Sequence, residues 1–164
     1  MKRYLTILLA AAGACALQAQ STEVKQGYNG IKGNLLKMAE KMPEENYSFK
    51  ASPDIRSFGQ LVGHVADAQM GTCSAVNGEP KKLGASSMTS KADLSAALKT
   101  SFDECDKAFE SLSDATASQT VKMGQREGTK LGALTRVVVH SNEEYGYMSV
   151  YLRLKGIVPP SSAK

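Results

Sequence analysis

Leu131 to Gly156, LGALTRVVVHSNEEYGYMSVYLRLKG, is the stretch whose reading decides the fold. Leu131, Leu134, Val138, Ser141, Tyr145, Met148 and Leu152 recur at steps of three and four, the period that gathers residues on one helix face. Thr129 can accept the free backbone N–H groups at the start of such a helix, and Gly156 ahead of Pro159 and Pro160 ends it. Beside this seam runs a second stripe, Ala133, Val137, His140, Glu144, Tyr147 and Tyr151. His140 and Glu144 stand four apart, so both side chains lie on one face, one turn from each other.

Segments of the same kind precede it. From Ser21 to Met42, Val24, Tyr28, Ile31, Leu35, Met38 and Met42 form a stripe, with Ser21 or Thr22 as the cap and Pro43 as the stop. Pro43 to Arg56 reads as an ordered connection that tucks Tyr47 or Phe49 under the helices. Ser57-Phe58-Gly59-Gln60 has the form of a capping box and opens a second helix, which Asn77-Gly78 ends. Its core stripe is Phe58, Leu61 or Val62, Val65, Gln69, Thr72 and Val76, and next to it His64 stands among the small residues Ala68, Gly71 and Ala75. Glu79 to Thr89 is long enough for a crossover rather than a tight hairpin. Ser90 then caps a third helix with the seam Leu94, Leu98, Phe102, Cys105, Phe109 and Leu112. Between Ser113 and Gly128 the pattern dissolves, and Val121 with Met123 offers at most a short extended piece. Four striped helices without a repeat or linker predict an all-α four-helix bundle over residues 20–160, with 161–164 as a loose tail.

A length of 164 residues with 42% apolar and 22% charged residues suits one globular core. Lys2 and Arg3 ahead of the apolar run Leu5 to Ala14 have the layout of a secretory signal peptide, residues 1–19. Cleavage after Ala19 is favoured, with Ala14-Cys15-Ala16 as a second site. Alternatively, Cys15 carries the lipid of a bacterial lipoprotein. The run is too short to span a bilayer. The expected address is therefore the periplasm or the medium. Loss of Lys2 and Arg3 lowers the formal charge from +4 to +2, too small an excess to argue for nucleic acid or an anionic membrane. Cys73 and Cys105 read first as buried thiols on apolar faces, second as a disulfide that such a compartment permits, and third as ligands.

His64, His140 and Glu144 together form a candidate site for a divalent metal, with donors suited to zinc, nickel, iron or manganese. Three protein ligands would leave positions open for water or substrate. The competing reading makes His140 and Glu144 a hydrogen-bonded pair on a solvated face. Asp67, three residues after His64, is either an orienting partner for that imidazole or a surface carboxylate. Arg153 and Lys155 suit the dipole at the last helix's C-terminus, and Tyr145, Tyr147 and Tyr151 read as packing residues. There is no phosphate-cradling glycine motif and no nucleophile elbow.

The segment His140-Ser-Asn-Glu-Glu144-Tyr-Gly146, with Tyr151-Leu-Arg-Leu-Lys-Gly156-Ile-Val-Pro-Pro160 after it, resembles the C-terminal signature of the DinB-like superfamily. Met42-Pro-Glu-Glu-Asn-Tyr47-Ser-Phe49, with Arg56-Ser-Phe-Gly-Gln-Leu-Val-Gly-His64-Val-Ala-Asp67, is similar to its first half. The resemblance implies a four-helix bundle, often a homodimer, holding a divalent metal on three histidines: one on the second helix and two spaced by four on the last. His64 and His140 match those positions, whereas Glu144 departs from the third. Characterised relatives include thiol-dependent transferases and isomerases. The expectation is thus an exported DinB-like metal-binding bundle with transferase or hydrolase activity on a small-molecule or thiol substrate. The alternative is a non-catalytic small-ligand-binding or stress-associated envelope protein with a degenerate site.

Overall fold

The computed structural model describes residues 2–163, with side chains for residues 20–163. Its helices are α1 (Lys2–Lys41), α2 (Phe58–Val76), α3 (Lys91–Glu110), the single turn α4 (Asp114–Ala117) and α5 (Lys130–Leu154). Two short strands, β1 (Thr120–Met123) and β2 (Arg126–Thr129), pair as an antiparallel hairpin ahead of α5. The expected signal peptide, including Cys15, lies outside the residues with described side chains.

Local signals account for most of the helix ends. Ser57 Oγ accepts from Gln60 N at 3.2 Å while Gln60 Oε1 accepts from Ser57 N at 2.8 Å, the reciprocal capping box expected for α2. Gly156 takes φ +72°, and Ile157 N donates to Leu152 O at 2.9 Å, closing α5 in a Schellman-type end. At α1 the expectation fails, because the helix passes through Ser21 and Thr22 instead of starting there. The preceding Ala-, Leu- and Gln-rich residues favour helix and include no proline, and Gly13 alone does not stop it, so nothing makes a cap necessary. Ser21 is buried within α1.

Residue pairs across the core fix the topology. Lys91 Nζ reaches Glu40 O and Met42 O, and Tyr28 Oη donates to Asp106, so α1 and α3 run antiparallel. Gly59 abuts Leu94 and Cys73 bonds Cys105, so α2 and α3 run parallel. The chain from Asn77 to Ser90 must therefore travel back along the bundle, the crossover that its length predicted. α2 and α5 are antiparallel, with Phe58 beside Tyr151 and Gln69 beside Ser141. This parallel pairing also corrects the first reading of the cysteines: with Cα atoms 4.9 Å apart, Cys73 and Cys105 form a disulfide rather than two core thiols.

The core is the predicted one, with Leu35, Met38, Phe58, Phe102, Leu134 and Met148 fully buried. Tyr47 tucks beneath it and donates to Ala39 O at 2.7 Å. On α5 both stripes are covered, because this helix packs on α1 and α2 at once: Ala133, Val137, Glu144 and Tyr151 are buried, whereas Leu131, Val138 and Tyr145 are half-buried. Tyr147 faces solvent and donates to Glu143 at 3.1 Å. At the C-terminus, Ser161 N donates to Tyr145 Oη at 2.9 Å and Arg153 donates to Ser162 at 3.1 Å. Lys155 sits with Nζ 3.8 Å from the Phe49 ring centroid.

Candidate metal centre

Helix α2 supplies His64 at a level set by its neighbours. A Cβ on Gly63 would lie 2.6 Å from Ala85 O, so only glycine lets the crossover turn settle against this point of α2. One turn on, Asp67 accepts from Ala85 N at 2.8 Å, Ser86 N at 2.8 Å and Ser86 Oγ at 2.6 Å. Asp67, half-buried, holds the crossover turn rather than the His64 ring, and although burial pushes its carboxyl up, these bonds keep it below the usual range.

Opposite, α5 presents His140 and Glu144 on successive turns. The Nε2 atoms of His64 and His140 are 3.1 Å apart, and Glu144 Oε1 lies 3.5 Å from each of them. The three residues predicted to share a site do so, and they are the one trio of this kind among the described residues. A tetrahedral ion with bonds of about 2.0–2.1 Å separates its ligand atoms by about 3.3–3.4 Å, and an octahedral one by about 3 Å. The observed edges match that range, so the trio could hold a metal ion. Both rings are half-buried, while Glu144 is 5% exposed, which removes the reading of a pair on a solvated face.

Electrostatics point the same way. Glu144 Oε2 is buried without a hydrogen-bond partner, a costly state for a carboxylate oxygen that a cation would relieve. Burial pushes the His64 pKa down, the nearby Arg56 and His140 add to the effect, and Glu144 and Asp67 oppose it. Neutral imidazole is the form that ligates.

A cavity of about 570 Å³ opens on the two rings. Its walls include Thr72 from α2, Gln125 and Arg126 from the hairpin, and Arg136 from α5. Sequence reasoning placed Thr72 in the core stripe of α2 and passed over the other three. Arg136 could have been found, four before His140 and so on the same face. Beyond Val121 and Met123, the hairpin had Gly124 as a signal, which at φ +66° supplies the first position of the two-residue turn. Beneath the site, Gln69 donates to Ser141 Oγ at 3.2 Å and accepts from Ser101 Oγ at 2.9 Å, tying α2, α5 and α3 together.

The family model of the DinB superfamily matches residues 31–148, the span from mid-α1 to near the end of α5. The chain belongs to the DinB superfamily. Its fold is similar to that of a DinB-like protein from Bacillus cereus, with TM-score 0.72 and 16% identity over 84% of this chain and 93% of that one. A DinB-like protein from Bacillus subtilis gives TM-score 0.64 and 18% identity over 82% and 92%. The mycothiol-dependent maleylpyruvate isomerase also shares the fold, with TM-score 0.56 and 18% identity over 84% of this DinB-superfamily chain but 66% of its own. No curated protein matches the sequence.

Proposed function

We propose that this member of the DinB superfamily is an exported protein that binds one divalent cation, zinc, nickel, iron or manganese, through His64, His140 and Glu144, and acts there on a small thiol or another small molecule. The observation that carries the reading is the buried Glu144 carboxylate, with one oxygen unpartnered and the other 3.5 Å from both imidazole nitrogens. A cation in that place supplies a Lewis acid that lowers the pKa of a thiol or water. The chain itself excludes water on the core side of the trio, and keeps the cavity side open for a substrate. The fold shared with a mycothiol-dependent isomerase supports a thiol as that substrate; a transferase or hydrolase reaction is the chemistry that we propose for it. The Cys73–Cys105 disulfide and the leader-like residues 1–19 support export.

Glu144 in place of a third histidine favours the second reading, a small-ligand-binding envelope protein without turnover. Elemental analysis of protein purified without added metal tests the first. Near-stoichiometric metal in the wild type, lost in His64→Ala and in His140→Ala, is the expected result. Equal trace content in all three would overturn it. A metal-dependent thiol-consumption assay then separates enzyme from binding protein.

A further inference from the structure

We infer that the cavity over the metal centre takes a short molecule carrying a carboxylate, held by Arg126 and Arg136, with its other end at His64 and His140. The inference deepens the proposed function and rests on it for the reactive end alone. The anion-holding end stands on separate observations.

Arg126 and Arg136 both line the cavity, yet neither guanidinium has an ion pair or a hydrogen-bonded side chain among the described residues. Both residues are exposed, and the guanidinium fork is the group that matches a carboxylate in two-pronged geometry. Asp67 is the one acidic residue in the walls, and both its oxygens are committed to Ala85 and Ser86. The cavity therefore offers positive charge that nothing in the chain neutralises. The apolar remainder, Ala68, Gly71 and Val137, suits a short carbon chain, and few convergent polar groups in an apolar cleft are the pattern of small-molecule sites.

Arg136 precedes His140 by one turn on the same face, and both line the cavity. A short dicarboxylate or a thiol-bearing carboxylic acid can therefore meet both. Planar, two-pronged recognition of the carboxylate by guanidinium sets it apart from a neutral amide of the same shape.

Isothermal titration with succinate, and with uncharged succinamide as its isostere, tests this on the full chain, both treated with chelator and reloaded with zinc. Succinate should bind the metal-free protein at least about tenfold more tightly than succinamide, the ratio that about 1.4 kcal/mol represents. Arg126→Gln and Arg136→Gln should each weaken succinate about tenfold and leave zinc stoichiometry unchanged. Arg136→Lys, which keeps the charge and loses the fork, serves where the glutamine variant fails to fold and should fall between. Equal affinity for succinate and succinamide, or succinate binding unchanged in the double variant, overturns the inference even if zinc binds normally. Absent zinc binding with arginine-dependent succinate binding intact instead overturns the metal reading and leaves this one standing.

Discussion

Glu144→Gln should stabilise the metal-free protein and weaken the metal-loaded one. Without a cation, the carboxylate is 5% exposed, Oε2 has no hydrogen-bond partner, and Oε1 stands 3.5 Å from two imidazole nitrogens. An unsatisfied buried polar group costs about 1–3 kcal/mol. Glutamine removes the charge and brings an amide that can donate to a neighbouring ring nitrogen. For a chain of this size each kcal/mol moves Tm by about 2–4 °C, so the chelated variant should melt about 2–12 °C above wild type. Zinc reverses the order. At a hundred times its Kd a ligand adds about 2.7 kcal/mol, and loss of one of three ligands should cost at least the roughly 10–100-fold that removal of a mere orienting partner costs. Scanning calorimetry across a zinc series should show the two Tm curves crossing. A chelated variant that melts lower than wild type, together with equal zinc increments in both, would refute the account of Glu144.

The disulfide joins positions 32 apart in sequence, and Cys73→Ser with Cys105→Ser should cost about 3–4 kcal/mol by loop-closure entropy, read as a lower urea midpoint. Gly63→Ala places a methyl 2.6 Å from Ala85 O, and strain of about 1–3 kcal/mol is expected, with faster hydrogen exchange over residues 79–89. Asp67 is held below the usual carboxylate range by the bonds from Ser86 and Ala85 despite its burial. A depressed folded pKa means stability present at neutral pH and lost as acid protonates the folded group. Asp67→Asn should therefore be less stable than wild type at pH about 7, and the gap should narrow progressively as pH falls below the usual carboxylate pKa of about 3.9, as denaturant titrations along that range would show.

The four helices were legible because their signals are local. Ser57 and Gln60 sit three apart, and the seams repeat at helical steps whatever the helices later touch. The trio was legible too, since His64, His140 and Glu144 each occupy a stripe beside a seam. What stayed hidden depends on contacts between elements. The pairing of Cys73 with Cys105 follows from α2 and α3 running parallel, which no local pattern states. Asp67 read as either a surface carboxylate or a partner for His64, and neither reading could show that the crossover returns to bond it. The hairpin is a further case: β1 packs on α2, and Lys130 N donates to Gln119 O at 2.8 Å, so tertiary contacts hold strands that alternation in Val121 and Met123 barely suggested.

These non-local contacts converge on α2, and that convergence holds the trio together as a unit. The capping box fixes where α2 begins, Ala85 against Gly63 sets its level beside the crossover, and Asp67 ties the next turn to Ser86. Further down, Gln69 bridges to Ser141 on α5, and Cys73 is bonded to α3. His64 lies inside this series of restraints, and Ser141 directly follows His140. A slide of α2 along α5 by one residue, about 1.5 Å, would break the Gln69 bridge in the buried core as well as the 3.1 Å approach of the two rings. The scaffold thus fixes the spacing of the three side chains through packing, and a cation held there as proposed would demand little reorganisation. It follows that Gln69→Ala should lower metal affinity although Gln69 donates no ligand atom. The size of that loss relative to His64→Ala measures how far the spacing is imposed by the bundle.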